Sequence, residues 1–164
     1  MAPRAETETS VLRAAGVRGI VIRPGLVYGD GKGYDLPNLI ALAKKHGAAP
    51  HLGAGAVRQG YVHIDDLVGL YVLALERAPA GAILHAVTDE IALGDLAATV
   101  SRLVGAGGRT EALSLIEMYA RGGGGGVSLS VNKRLASERT RKALGWFPAR
   151  YDILEDTQHG SHTA

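Results

Sequence analysis

The sequence predicts an α/β fold built on a parallel sheet, and three observations carry that expectation. Strand-like and helix-like segments alternate along the chain. Gly19-Ile20-Val21-Ile22-Arg23 is an apolar run without polar alternation, as in strands buried on both faces. Pro24 and Gly25 then break the regular structure at its end. The 164 residues, 46% hydrophobic and 21% charged, suit one globular domain, read here as residues 1–156 followed by a polar tail over 157–164.

Each element follows in order. Residues 4–15 read as a helix with Val11, Leu12 and Ala15 on one side, stopped by Gly16. After the 19–23 strand, Gly29, Gly31 and Gly33 predict a loop, and Asp35 is expected to cap a helix carrying Leu36, Leu39, Ile40 and Ala43 at amphipathic spacing. Residues 48–60 read as loop. Tyr61-Val62-His63-Ile64 is extended, with Asp65 expected as the N-cap of a helix that places Leu67, Leu70, Tyr71 and Ala74 on one face. A buried strand over 82–87 and a helix through Leu96, Val100, Leu103 and Val104 come next. Thr110 is expected to cap a helix running to about Ala120. Gly122 to Gly126 reads as a flexible linker or a disordered loop, residues 127–131 alternate weakly, and Ser137 to Leu144 form a short basic helix closed by Gly145. The tail, with His159 and His162, is expected to fray in solvent.

Composition narrows the partners. The chain has no cysteine, which excludes disulfides, thiolate metal sites and cysteine nucleophiles. A net charge of +2 with only short basic clusters, such as Lys44-Lys45, argues against nucleic acid. No apolar run approaches the ~20 residues that span a bilayer, and Met1 to Arg13 holds no apolar block. A cytoplasmic protein acting on a small molecule, without membrane partners, is the expectation.

Three strings carry more specific information. Arg23-Pro24-Gly25-Leu26-Val27-Tyr28-Gly29 lies where ligands approach open α/β sheets, at the C-terminal end of a strand. Taken alone it reads first as a plain strand-to-helix turn. The second is Gly53-Ala54-Gly55, then Arg58, then Tyr61-Val62-His63-Ile64-Asp65-Asp66-Leu67. The third is Asn132-Lys133-Arg134, then Ser137, Arg141 and Leu144-Gly145-Trp146-Phe147-Pro148. In this order and spacing they resemble the distal half of extended or atypical short-chain dehydrogenases/reductases, the NAD-dependent epimerase/dehydratase family.

That resemblance implies a partial Rossmann-like, doubly wound sheet with a mostly helical C-terminal substrate-binding region. It implies NAD or NADP as cofactor, bordered by Pro24, Gly25, Leu26 and Val27, and a substrate met by Arg58 and Arg134. A guanidinium offers a planar fork of donors to a phosphate, although either arginine also reads as a surface charge. The family's glycine-rich Gly-x-x-Gly-x-x-Gly turn is absent from the sequence. Its Tyr-x-x-x-Lys acid–base pair is matched only by Tyr28 and Lys32, where Gly29 and Gly31 intervene and a helix is not expected. No catalytic residue is therefore assigned. The chain is expected to begin after that pair and to be inactive with nicotinamide cofactors by itself; a non-catalytic nucleotide-sensing module is the alternative.

Histidine is a frequent acid–base residue, but His63 reads better as a hydrogen-bonded structural histidine. Asp66 is expected to stabilise the helix dipole, and His63, Asp65 and Asp66 are not expected to converge on a metal. Trp146 and Phe147 are expected to anchor the C-terminal segment. A strand at 20–23 without its usual neighbour exposes an edge, so self-association or a partner chain supplying the N-terminal half is expected.

Overall fold

The computed structural model describes residues 3–150 and 152–160. Helix α1 (Pro3–Arg13) leads to β1 (Val21–Pro24), and Gly25 separates β1 from β2 (Leu26–Tyr28). Next come α2 (Asp35–His46), β3 (Ala49–Leu52), β4 (Arg58–His63) and α3 (Ile64–Arg77). Strands β5 (Ile83–Ala86) and β6 (Asp89–Ala92) precede α4 (Leu93–Leu103), β7 (Thr110–Leu113) and α5 (Leu115–Leu129). Helices α6 (Glu138–Leu144) and α7 (Ile153–His159) complete the described chain.

The α/β class holds, with the strands grouped into small sheets. β1 pairs with β5, β2 with β4 and β3 with β7, all in parallel, while β6 adds to β4 antiparallel. Parallel pairs need helical crossovers, and α3 supplies the one from β4 back to β5. Its apolar side places Leu67, Leu70 and Ala74 against Val62, Leu84 and Ala86, with Leu144 and Trp146 closing this core. A second core joins Leu36 and Leu39 of α2 to Leu96 and Val100 of α4, Met118 and Leu129 of α5 and Ile153 of α7.

The two edges of the β1–β5 pair differ. Along β5 and just beyond its end, the backbone N–H groups of His85 and Val87 donate to Thr140 Oγ1 at 2.9 Å and Ser137 Oγ at 2.6 Å, so the segment around α6 closes that edge. On β1, Val21 N donates inward to Ala82 O at 2.9 Å. Strand alternation turns the backbone groups of Ile22 the other way, where no strand of the described residues lies.

Several local expectations are corrected. Residues 48–60 contain β3 and the start of β4. Thr110 does not cap a helix: Thr110 to Leu113 pair with β3, and Ser114 caps α5 through a capping box with Glu117. The glycine run is helical, with one break at Gly123 (φ 53°, ψ −136°), and residues 127–129 continue the helix. Close packing offsets the low helix propensity there. A Cβ at Gly125 would stand 2.3 Å from Asn38 Nδ2, and one at Gly126 would stand against the Met118 carbonyl. Asp35 begins α2 without capping it, since Tyr34 occupies the N-cap. Tyr71 lies outside the core, 48% exposed. The start of the tail is ordered by Asp152, whose carboxylate accepts the N–H groups of Leu154 and Glu155, each at 3.0 Å, and Thr157 is fully buried. His162 lies outside the described residues.

Candidate functional site

The candidate site forms where β1 gives way to β2. Pro24 ends the β1 register opposite Ala86, and Gly25 N donates to Ala86 O at 2.9 Å. Gly25 is required by packing: a Cβ would lie 2.4 Å from the Gly60 carbonyl oxygen and 3.0 Å from Val87 Cγ2. Its missing side chain admits strand β4. The other side of the segment opens on a cavity of about 1000 Å³. Pro24, Gly25, Leu26 and Val27 line it, with Arg4 and Glu8 from α1 and the 132–135 segment opposite. Arg23 reaches Glu8 at 2.5 Å across one rim.

The opposite wall is set by β4. Gln59, fully buried, donates through Nε2 to the Ser128 and Val131 carbonyls at 3.0 and 3.3 Å, and accepts from Tyr61 Oη at 2.9 Å. A buried amide satisfied this way fixes the loop after α5. Lys133 N then donates to Arg58 O at 3.0 Å, Gly60 N donates to Lys133 O at 2.8 Å, and Arg58 N donates to Asn132 Oδ1 at 2.7 Å. The segment therefore runs beside β4 like a short extra strand. Lys133 Nζ turns inward to Ser128 Oγ at 2.5 Å and Asp35 Oδ2 at 3.4 Å.

This zipper brings the two expected substrate arginines together. Arg58 Nε donates to Glu90 Oε1 at 2.8 Å, and Arg134 Nε donates to Glu90 Oε2 at 2.9 Å. Arg58 also donates to the Glu90 carbonyl at 2.8 Å. The donated bonds from Arg134 and Arg58 hold the Glu90 carboxyl below its ordinary pKa. Two cations share one anion, so the pair retains a net positive charge beside the cavity. Arg134 lines the cavity, and Arg58 stands behind it on the same carboxylate. Glu90 was not singled out in the sequence: Asp89 to Ala92 carried too short an apolar pattern to announce a strand.

Residues 5–87 match the model of the NAD dependent epimerase/dehydratase family. The chain belongs to this family. An uncharacterized protein of Schizosaccharomyces pombe is 33% identical over 165 residues, covering 94% of this chain and 53% of that protein. A 3-diazoavenalumate denitrifying reductase of a Streptomyces species is 32% identical over 139 residues, covering 84% and 45%. Among solved structures, DesIV of Streptomyces venezuelae, a dTDP-glucose 4,6-dehydratase with NAD and TYD bound, superposes with a TM-score of 0.70 at 19% identity. It covers 97% of this chain and 48% of its own. At that identity the likeness establishes the Rossmann-like fold. The chain spans about half the length of the curated relatives it matches.

The remaining expected residues of this epimerase/dehydratase chain have structural roles. Tyr28 lies in β2, 2% exposed, and donates to the Arg150 carbonyl at 3.0 Å. Burial, reinforced by the negative charge of Asp156, raises its pKa well above the ordinary tyrosine value. Lys32 follows in a turn, its N–H on Gly29 O at 3.0 Å, so the two do not share a helix face. His63, not Asp65, is the N-cap of α3: its Nδ1 accepts from Asp65 N at 3.2 Å, which places the ring proton on Nε2. Asp66 does more than face a dipole. It accepts the backbone N–H groups of Ala149 and Arg150, both at 2.8 Å. Trp146 Nε1 donates to Asp66 O at 3.0 Å, whereas Phe147 is 85% exposed and anchors nothing. Among the described residues no three metal-ligating side chains converge, and no helix is long and apolar enough to cross a membrane.

Proposed function

We propose that this chain is the distal, substrate-facing half of an NAD(P)-dependent oxidoreductase, epimerase or dehydratase. The proximal half supplies the glycine-rich strand and the acid–base helix from the same longer protein or from a partner chain. One observation carries the reading. The cavity of about 1000 Å³ has the Pro24–Val27 backbone on one wall and Arg134, backed by Arg58, on the other.

The donor set fits a nicotinamide at that wall. Pro24 contributes no N–H and Gly25 spends its own on Ala86, so the ring would rest on the edge strand β2. There backbone carbonyl and N–H groups on the outer side can meet a carboxamide. A bound nicotinamide would supply hydride exchange. The chain's own residues bind and orient: Leu26 and Val27 offer an apolar seat, and the Arg58–Arg134 pair attracts an anionic substrate group toward the cavity mouth. A diphosphate matches the two forks better than a carboxylate, because it presents more acceptor oxygens. The open edge of β1 supports the placement of the missing half, since a parallel strand there would satisfy the Ile22 backbone groups.

Calorimetry with NAD and NADP tests the division of labour. The chain alone is expected to give no micromolar binding. Mixed or co-expressed with the proximal half of the Schizosaccharomyces pombe relative, it is expected to bind. Micromolar affinity in the isolated chain would overturn the half-protein reading, and no binding by the reconstituted pair would overturn the cofactor assignment.

A further inference from the structure

A second cavity, of about 460 Å³, opens beside α7 and shares no lining residue with the one at the β1–β2 junction. Tyr28 and His63 line its inner side, and Asp152, Glu155 and Asp156 of α7 and its cap line its acidic side. Two buried groups there are left without partners. His63 is 8% exposed, and its Nδ1 accepts the N–H of Asp65, which puts the ring proton on Nε2. That Nε2–H meets no acceptor among the described residues. The ring is held by the cap and by Tyr28, edge to face with centroids 5.2 Å apart. A Cβ at Gly29 would stand 2.5 Å from Nε2 and cover it, so glycine leaves the nitrogen open. On the acidic side, Asp156 Oδ2 is buried and accepts nothing. Buried donors and acceptors are ordinarily paired, so an unpaired donor and acceptor on one cavity mark a place for a ligand.

The charges select the ligand. Among the described residues Asp152, Glu155 and Asp156 make no ion pair, and the exposed Arg150 of the same lining pairs with none of them. Burial, and then the charges of Asp156, Asp89, Asp66 and Asp152, raise the Tyr28 pKa, so the inner side lies in a negative field. Such a field attracts a cation. Among the described residues no three side chains converge as metal ligands, which points to an organic cation. The Nε2–H of His63 requires an acceptor on the same molecule. A carboxylate or phosphate would be repelled by the acidic side, whereas a hydroxyl is neutral and can donate onward to a carboxylate. We infer that this cavity is a second small-molecule site, taking a hydroxylated primary amine. The ammonium meets Asp156 and Glu155, and a hydroxyl oxygen accepts from His63 Nε2. His63 thus reads the ligand with one ring nitrogen while it caps α3 with the other. The site does not depend on the nicotinamide assignment.

Proton NMR of the full chain tests this with three probes matched in size. Serinol carries an ammonium and two hydroxyls, glycerol has a hydroxyl in place of the ammonium, and isopropylamine lacks both hydroxyls. Serinol is expected to shift the His63 ring signal saturably, with a dissociation constant on the order of millimolar for so small a ligand. Glycerol and isopropylamine are expected to bind about tenfold more weakly or worse. Asp156→Asn removes the charge and keeps the shape, so serinol affinity should fall about tenfold or more. His63→Asn keeps a good N-cap and removes the Nε2–H. Followed through the Tyr28 ring signals, it should weaken serinol and leave isopropylamine unchanged. Circular dichroism checks that each variant is folded. Should Asp156→Asn unfold, Glu155→Gln, at an exposed position, carries the same test with a several-fold loss expected. No saturable shift, glycerol binding as well as serinol, or unchanged serinol affinity in the folded charge-removing variant would each overturn the inference. Equal weakening of serinol and isopropylamine in His63→Asn would overturn it too, because the histidine would then act only through the fold.

Discussion

The carboxylate of Asp66 accepts the backbone N–H of Arg150 at 2.8 Å, and its other oxygen accepts the N–H of Ala149 at the same distance. A side chain in the first turn of α3 thereby fixes the segment leading to α7, where the Arg150 carbonyl accepts from Tyr28 Oη at 3.0 Å. Charge-assisted bonds to backbone donors are the strong kind. Asp66→Ala removes both acceptors at a residue 8% exposed, at an expected cost of about 2–5 kcal/mol from two orphaned donors. Urea unfolding measures it. A loss below about 1 kcal/mol would show that water replaces the carboxylate.

Glu90 restrains the two arginines that face the proposed substrate. Glu90→Gln removes the negative charge shared by the two guanidiniums, while Arg58 keeps its bond to the carbonyl of residue 90, so pyrophosphate is expected to bind several-fold more tightly, with the gain shrinking as salt rises. The pH consequence has a definite sign. The folded pKa of Glu90 is lowered by Arg134 and Arg58. Its stabilising share is therefore present above the unfolded value near 4.5 and lost as pH falls through the folded value. Acid unfolding of Glu90→Gln should lack that component. Identical acid limbs in the two proteins would sink the argument.

The class of fold was legible because its signals are local and redundant. The apolar 19–23 run, the break at Pro24 and the periodicity of α3 each point to one answer. The cluster of Arg58 and Arg134 was legible only as two separate residues. What joins them is Gln59, a buried polar side chain whose partners lie on α5 and beyond. Nothing in its neighbourhood announces that role. Strand β7 was missed because Glu111, Ala112 and Leu113 are good helix formers, and only the edge of β3 makes them extended. The Ser114-Leu115-Ile116-Glu117 capping box was nevertheless in plain view and would have moved the helix start.

The glycine run of α5 gives opposite outcomes two residues apart. An added Cβ at Gly124 meets nothing within 4 Å, and the backbone there avoids positive φ. Gly124→Ala should therefore raise stability by about 0.4–1 kcal/mol, through the unfolded chain. At Gly126 the Cβ would collide with the Met118 carbonyl. Gly126→Ala must break the approach of the two halves of α5 and should cost more than ~2 kcal/mol. Thermal melts of the two variants provide the comparison. Equal shifts would mean that the kink at Gly123 absorbs the added methyl.

Asp89 should oppose Glu90 on the pH axis, although the two are adjacent. Burial raises the Asp89 pKa above the ordinary 3.8, and the nearby Asp152 charge adds to it. Hydrogen bonds from the backbone of Ile153 and Glu90 offset only part of this. The folded state therefore holds the proton more tightly than the unfolded chain does. Stability contributed by Asp89 is full below the unfolded value and falls as pH rises through the raised folded value, then stays level. Asn at this position keeps an oxygen to accept the Ile153 and Glu90 bonds and carries no charge to desolvate. Asp89→Asn should thus be more stable than the parent chain at pH 7, with the gap closing as pH falls toward about 3. Urea midpoints across that range decide the matter: a gap that stays constant with pH would place the effect in packing and not in ionisation.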